Sequence, residues 1–183
     1  MTRSGFSLLE LLVAIALIAA VAAIVIPNIN FKTPKQEREQ FIISLNNLVK
    51  RAWQHAVTSQ NVSKLEFDFS KENRKITILE NTGKKDEEGN LLFKPIEHKY
   101  RETTLAIPSQ VSVKNFYIEG FDEVTKYQSG RQVTTWFFIT PEGLSQSVIV
   151  NFFDTKSKRS VGLVLYPFAV QFKVYDSFQV PQK

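Results

Sequence analysis

A long apolar segment near the start of the chain constrains its fold more than any other feature. The run from Leu11 to Ile26 contains 16 consecutive apolar residues. Counted from Phe6, the segment has 21 residues and would form a helix about 31 Å long, close to the thickness of the hydrocarbon core of a bilayer. Arg3 precedes the run, and most charges of this +5 chain follow it. We therefore expect one membrane-spanning helix, with a cytoplasmic N-terminus and the body translocated.

A cleaved secretory signal is the alternative, because Ala20-Val21-Ala22 has the A-x-A form of a signal cleavage site. Glu10 opposes that interpretation, since a carboxylate in hydrocarbon costs about 2.5 to 3.5 kcal/mol and gives a signal peptide no advantage. A cut between Gly5 and Phe6 would create an amine at the depth of Glu10 in a neighbouring copy. Pairing of the two charges would set the axial register of packed helices.

The segment Gly5-Phe6-Ser7-Leu8-Leu9-Glu10, followed by the apolar run and by Pro27, resembles the class III signal of type IV pilins and type II secretion pseudopilins. The resemblance implies that a prepilin peptidase of the inner membrane cleaves after Gly5 and N-methylates Phe6. It also implies that Glu10 serves assembly and that Pro27 interrupts the helix. The expected segments are a leader at residues 1–5, a transmembrane and assembly helix at 6–27, and a periplasmic globular domain at 28–183.

A second helix is predicted at about residues 34–60. Thr33-Pro34-Lys35-Gln36 has the form of a capping box with proline at the first helical position. Apolar residues then recur at helical spacing and define one face of the helix: Phe41, Leu45, Leu48, Ala52 and Ala56.

Beyond this helix the apolar pattern changes to alternation, which is typical of strands. The predicted strands contain Leu65 to Phe69, Ile76 to Leu79, Val111 to Glu119, Val133 to Thr140, Ser147 to Phe153, Gly162 to Tyr166 and Phe168 to Tyr175. Thr140-Pro141-Glu142-Gly143 is predicted to be a turn between two of them, and residues 83–90 an exposed loop. Thirteen of the fifteen phenylalanines follow position 40, which predicts an aromatic core between sheet and helix.

These elements predict an α+β fold. The order of a long N-terminal helix, a capped second helix and an antiparallel sheet resembles the pilin-like architecture, in which the long membrane-spanning helix packs on a C-terminal antiparallel β-sheet domain. The helix and strand over Phe41 to Asp68, together with Phe138 to Gly143 and the strands after it, resemble the H-type minor pseudopilins and related minor pilins of pili.

Catalytic chemistry is not expected of this sequence. It contains no cysteine, which excludes disulfides, thiolate metal sites and cysteine nucleophiles, and it lacks the glycine motifs that bind nucleotides. His55 and His98 are 43 positions apart, and neither has an obvious carboxylate partner. We expect both to be structural or solvated, and we expect no enzyme activity and no cofactor.

Two charged clusters allow binding hypotheses. Asp86-Glu87-Glu88 could offer oxygen ligands to calcium but lacks the alternating acidic spacing of a calcium loop, so a solvated hairpin tip is favoured and no metal site is expected. Lys156, Lys158 and Arg159 could bind phosphate. Gly162 is followed by Leu163-Val164-Leu165, unlike the glycine-arginine segment of DNA-binding relatives, so DNA is an unlikely partner.

The motifs and charged clusters leave two functional hypotheses. The favoured one is a minor pseudopilin, a structural subunit that takes part in assembling the tip of the type II secretion pseudopilus and in protein export across the outer membrane. Its partners would be prepilin peptidase, other major and minor pseudopilins, lipid of the inner membrane and the secretion machinery. The alternative is a minor pilin of a type IV pilus, involved in pilus assembly or in DNA uptake.

Overall fold

The computed structural model describes residues 7–28, 33–70, 72–97, 102–124 and 134–182. The chain divides into two units, Met1–Thr33 and Pro34–Lys183, and the first contains helix α1, Leu8–Asn28. Apolar side chains on α1 are largely uncovered, with Leu9 73% and Ile18 70% exposed. Among the described residues, no helix combines the length and hydropathy that crossing a membrane requires. The expected span at residues 6–27 therefore stays a prediction.

Helix α2, Pro34–Ser59, begins the second unit. Its first residue follows Thr33, in agreement with the predicted capping box, and its last residue lies within one position of the expected end near 60. All five positions of the predicted apolar face are buried, and two neighbours join them. The buried residues of α2 are Phe41, Ile42, Leu45, Leu48, Val49, Ala52 and Ala56.

Two antiparallel sheets follow α2. The first has the order β3-β2-β1-β7, with β4 paired to a different part of β2, and the second has the order β10-β9-β8-β5-β6. The strands are β1 Ser63–Asp68, β2 Lys75–Lys85, β3 Leu91–Pro95, β4 Thr104–Ala106, β5 Val111–Ile118, β6 Phe121–Asp122, β7 Thr134–Ile139, β8 Val148–Asp154, β9 Arg159–Leu165 and β10 Lys173–Tyr175.

One core lies between α2 and the two sheets. Phenylalanine rings from different elements meet there, and the Phe67 and Phe116 rings pack edge to face with centroids 4.9 Å apart. Phe137 and Phe152 are also almost completely buried. Because each aromatic side chain removes a large apolar area from water, these rings hold helix and sheets together. The predicted α+β fold with an aromatic core is confirmed for the second unit.

The strands differ from the prediction most in three respects. The segment Phe168–Tyr175 is paired only from Lys173 onward, because Ala169 donates to the carbonyl of Tyr166 in a turn and the Asn46 side chain accepts from the backbone of Phe172. Strand β2 continues to Lys85, into the stretch expected to be a loop. The short strands β3, β4 and β6 were not predicted.

Candidate functional site

The residues of the N-terminal motif lie at the start of α1. Glu10 is in the first turn of the helix, and Pro27 is its penultimate residue, since α1 ends at Asn28. Gly5 and Phe6 lie outside the described residues, as does the expected leader. The structure therefore places Glu10 and Pro27 at the two ends of one continuous helix, and the roles expected of all four residues stay predictions.

Ser7 and Glu10 form a reciprocal cap at the N-terminus of α1. The backbone N–H of Glu10 donates to the Ser7 hydroxyl over 3.2 Å, and the N–H of Ser7 donates to Oε2 of Glu10 over 3.4 Å. The first four N–H groups of a helix have no partner within it, and this arrangement supplies acceptors for two donors. The S-x-x-E pattern of a capping box is present in the sequence at Ser7 to Glu10, so a local signal for this second role of Glu10 exists.

The cap leaves part of the Glu10 carboxylate available. A carboxylate has two oxygens and about four acceptor positions, whereas the described contact occupies one position on Oε2. The cap also fixes the carboxylate beside the first turn, where the helix dipole favours negative charge. Glu10 can therefore cap its own helix and still accept a hydrogen bond or an opposite charge from a neighbour.

His55 has partners that the sequence did not reveal. Its Nε2 lies 3.1 Å from Oε2 of Glu80 on β2, and its Nδ1 lies 3.2 Å from the hydroxyl of Ser63 on β1. Ser63 is completely buried, so its hydroxyl is not open to a substrate. The three side chains connect α2 to two strands. His98, the other histidine considered, lies outside the described residues.

The basic turn between β8 and β9 is engaged with α2. Nζ of Lys156 lies 3.0 Å from Oε2 of Glu37. Arg38 lies 3.6 Å from the carboxylate of Asp154 and donates over 2.7 Å to the hydroxyl of Ser157. Lys158 adopts a positive φ of 52° within the turn. One of the three cations considered for phosphate binding is thus already paired with a carboxylate.

Asp154 is the buried centre of that turn. Burial raises its pKa, but hydrogen bonds from Ser157 and from the backbone N–H of Lys156, together with the charge of Arg38, outweigh burial and lower the pKa below its usual value. The carboxylate is completely shielded from solvent. It therefore remains ionised where it joins α2 to the second sheet.

The acidic cluster considered for calcium forms the tip of the hairpin between β2 and β3. Asp86 Oδ1 accepts from the backbone N–H groups of Glu88 over 2.9 Å and Asn90 over 2.8 Å. The backbone and then the side-chain amide of Asn90 lower the pKa of Asp86. Asp86 is therefore used in the turn itself, and within the described ranges no group of three or more His, Asp or Glu side chains is placed to hold a metal ion.

Comparisons with known proteins concern both units of the chain. Residues 1–26 match the prokaryotic N-terminal methylation motif. The fold is similar to that of the minor pseudopilin EpsH from the type 2 secretion system of Vibrio cholerae, with a TM-score of 0.50 and 11% identity over 74% of this chain and 93% of that chain. No curated protein matches the chain in sequence. The motif and the fold together confirm the resemblance to type IV pilins and pseudopilins.

Proposed function

We propose that this chain is a minor pseudopilin, a structural subunit rather than an enzyme. One coincidence carries the proposal: a methylation motif at residues 1–26 is joined to a body with the fold of a minor pseudopilin. The motif match supports a processed N-terminus, and the fold similarity over 74% of the chain supports the role of a minor pseudopilin. In this role the chain would be part of the type II secretion pseudopilus, near its tip.

The proposed anchor is the apolar segment at residues 6–27, in the inner membrane with the N-terminus cytoplasmic and the body periplasmic. The exposed Leu9 and Ile18 of α1 support a lipid or helix-packing environment, because a helix that is apolar all round is unstable in water. Prepilin peptidase would cleave after Gly5 and methylate Phe6. The helix would then leave the bilayer by packing against other pseudopilins, with Pro27 marking the end of the packed segment.

Glu10 is proposed to neutralise the Phe6 amine of a neighbouring subunit. The Ser7 cap supports this role, because it holds the carboxylate at the helix start while leaving acceptor positions free. At an effective dielectric constant of 20, opposite charges 4 Å apart attract by about 4 kcal/mol before desolvation. Such a contact would favour one axial register over others that bury equal apolar area.

The test separates processing from assembly. Intact-mass analysis in the native host should find a mature chain beginning with N-methylated Phe6. Glu10→Ala should be cleaved normally yet incorporate poorly into filaments, whereas a bulky, charged replacement of Gly5 should block cleavage. Deletion of the gene should leave exported proteins in the periplasm.

A mature chain that begins after Ala22 would contradict the proposal and restore the secretory-signal interpretation. Normal assembly of Glu10→Ala would contradict the role of Glu10.

A further inference from the structure

A cavity of about 510 Å³ lies on the second sheet, on the face opposite the core. Tyr117 of β5, Ile149 of β8 and Val164 of β9 are direct neighbours across the sheet. Val148 and Val150, on either side of Ile149, belong to the core, which places Ile149 on the other face. We call this cavity the tyrosine cup and define it by Tyr117, Glu119, Ile149, Val164, Tyr166 and Tyr175.

The C-terminal segment forms one side of the tyrosine cup and is fixed to the sheet. Asn151 of β8 holds the backbone of Gln179 at both polar groups, donating to its carbonyl over 2.7 Å and accepting from its N–H over 2.9 Å. A Cβ at Gly162 of β9 would lie 2.5 Å from the carbonyl oxygen of Ser177, so this glycine permits the close crossing. Hydrogen bonds and this close packing therefore hold the C-terminal wall of the tyrosine cup in place on the sheet.

Glu119 supplies a carboxylate to the tyrosine cup from an unfavourable backbone position. It lies between β5 and β6 with φ of 48°, followed by Gly120 with φ of 88°. Hairpin turns in which both central residues have positive φ favour Asn, Asp or Gly at the first of these positions. Its Oε1 accepts from the N–H of Ser147 over 2.8 Å, which fixes the carboxylate at the rim of the cup. Backbone strain of this kind is common at functional sites.

The chemistry of the tyrosine cup suits a cation with an aliphatic stem. Its described lining contains the carboxylate of Glu119 and three phenol rings but no Lys, Arg or His, in a chain whose net charge is +5. Burial and then the charge of Asp122 raise the pKa of Tyr117, so this phenol stays neutral. Ammonium and guanidinium groups bind tyrosine rings and carboxylates. The Lys173 ammonium, outside the lining, already lies 5.2 Å from the centre of the Tyr175 ring.

We propose that the tyrosine cup binds a lysine or arginine side chain presented by the body of a partner subunit. This deepens the proposed function and rests on it for the identity of the partner. The stem of the side chain would lie on Ile149 and Val164, and its charge would meet Glu119 and the ring of Tyr117, since Lys173 already approaches the Tyr175 ring. Of the residues that line the cavity, Tyr166 is 50% and Val180 70% exposed, and exposed aromatic and apolar groups at a pocket are typical of protein interfaces.

The first experiment measures cation binding by the purified full-length chain in detergent micelles. The tripeptide Gly-Arg-Gly should shift tyrosine NMR signals saturably with a millimolar Kd, and a tripeptide with uncharged norleucine should bind at least tenfold more weakly. Glu119→Gln should raise the Kd at least fivefold. The control Glu142→Gln, which removes a carboxylate outside the cup, should leave it unchanged. No saturable shift, equal binding of norleucine, or an unaffected Glu119→Gln variant would overturn the proposal.

The second experiment identifies the partner in the native host. A photo-crosslinking residue in place of Gln182, at the rim of the cup, should give adducts with another pilin-like subunit through a peptide that contains Lys or Arg, and Glu119→Gln should weaken them. Adducts lacking a basic residue would overturn the proposal. Intact mass of the same chains reports cleavage after Gly5, so normal processing with a failed cup assay refutes the cup alone, whereas failed processing refutes the proposed function.

Discussion

Gly143 is held in a conformation and a contact that other residues cannot adopt without cost. Its φ is 80°, its N–H donates to the carbonyl of Thr140 over 2.9 Å, and its own carbonyl accepts from the indole of Trp53 over 3.0 Å. A Cβ at this position would lie 2.7 Å from Nε1 of Trp53. The predicted turn after β7 thus also fixes a tryptophan of α2.

We expect Gly143→Ala to lower the free energy of unfolding by about 2 to 4 kcal/mol, because it adds backbone strain and displaces Trp53. Gly89→Ala is the matched control: its φ is 88° and nothing lies within 4 Å of the added Cβ, so it should cost only about 1 kcal/mol. Urea denaturation of the full chain in detergent measures both. Equal losses would show that Trp53 moves aside without cost.

The sequence predicts the conformation of a single residue where that conformation depends on its neighbours along the chain. The Thr140 to Gly143 turn and the start of α2 at Pro34 depend on neighbours in the chain, and both were predicted. The partners of His55 depend on which strands lie beside α2, and no local pattern indicates Glu80. Ser7 is a different case, because its S-x-x-E pattern is local, but Glu10 within it also has the composition of a contact between subunits, and the sequence does not separate the two roles.

At the scale of elements, the start of α2 is joined to the turn between β8 and β9 by charges. Arg38 faces the completely buried Asp154, and its own side chain is only 13% exposed. Lys156 and Glu37 form the outer pair, in which both side chains are substantially exposed. Buried and exposed ion pairs differ in what their removal costs, so the two pairs should contribute unequally.

Asp154→Asn should lower the free energy of unfolding by about 2 to 4 kcal/mol, since it leaves the Arg38 charge without its partner, whereas Lys156→Met should cost less than about 1 kcal/mol. The pKa of Asp154 is lower in the folded than in the unfolded protein. The ionised carboxylate therefore contributes fully to stability above the unfolded pKa of about 3.9, and this contribution is lost as the pH falls through the pKa of the folded state. Thermal unfolding between pH 7 and pH 2 should therefore show a steeper acid loss in wild type than in Asp154→Asn. Parallel curves would contradict this assignment.

The long elements were predictable and the short ones were not. Helix α2 has 26 residues, and its face repeats often enough to exceed chance. Strand β4 has three residues and β6 two, too few to show alternation, and β3 ends in Pro95, which disfavours a strand assignment. These strands exist because neighbouring strands offer edges to them, which is tertiary information.

At the scale of the whole molecule, the distribution of charge gives a way to test the proposed function against the DNA-uptake alternative. The chain has a net charge of +5. Of the three cations at the turn between β8 and β9, Lys156 is paired with Glu37, whereas Asp154, across from Arg159 in the strand ladder, is paired with Arg38. Among the described residues, ion pairing thus leaves Lys158 and Arg159 for phosphates, and two cations are a small cluster for binding nucleic acid.

We expect gel-shift assays to show weak DNA binding that disappears near physiological salt. For about three phosphate contacts, affinity should fall roughly 20-fold between 50 and 150 mM salt, since counterion release gives a slope of about −0.9 per contact. Lys158→Glu should weaken the residual binding, and the control Lys35→Glu, at the paired start of α2, should change it less. Two results together would favour the pilus alternative: tight DNA binding that survives 150 mM salt, and a deletion strain that loses transformation but keeps secretion. A secretion subunit has no need of a nucleic-acid surface that resists salt.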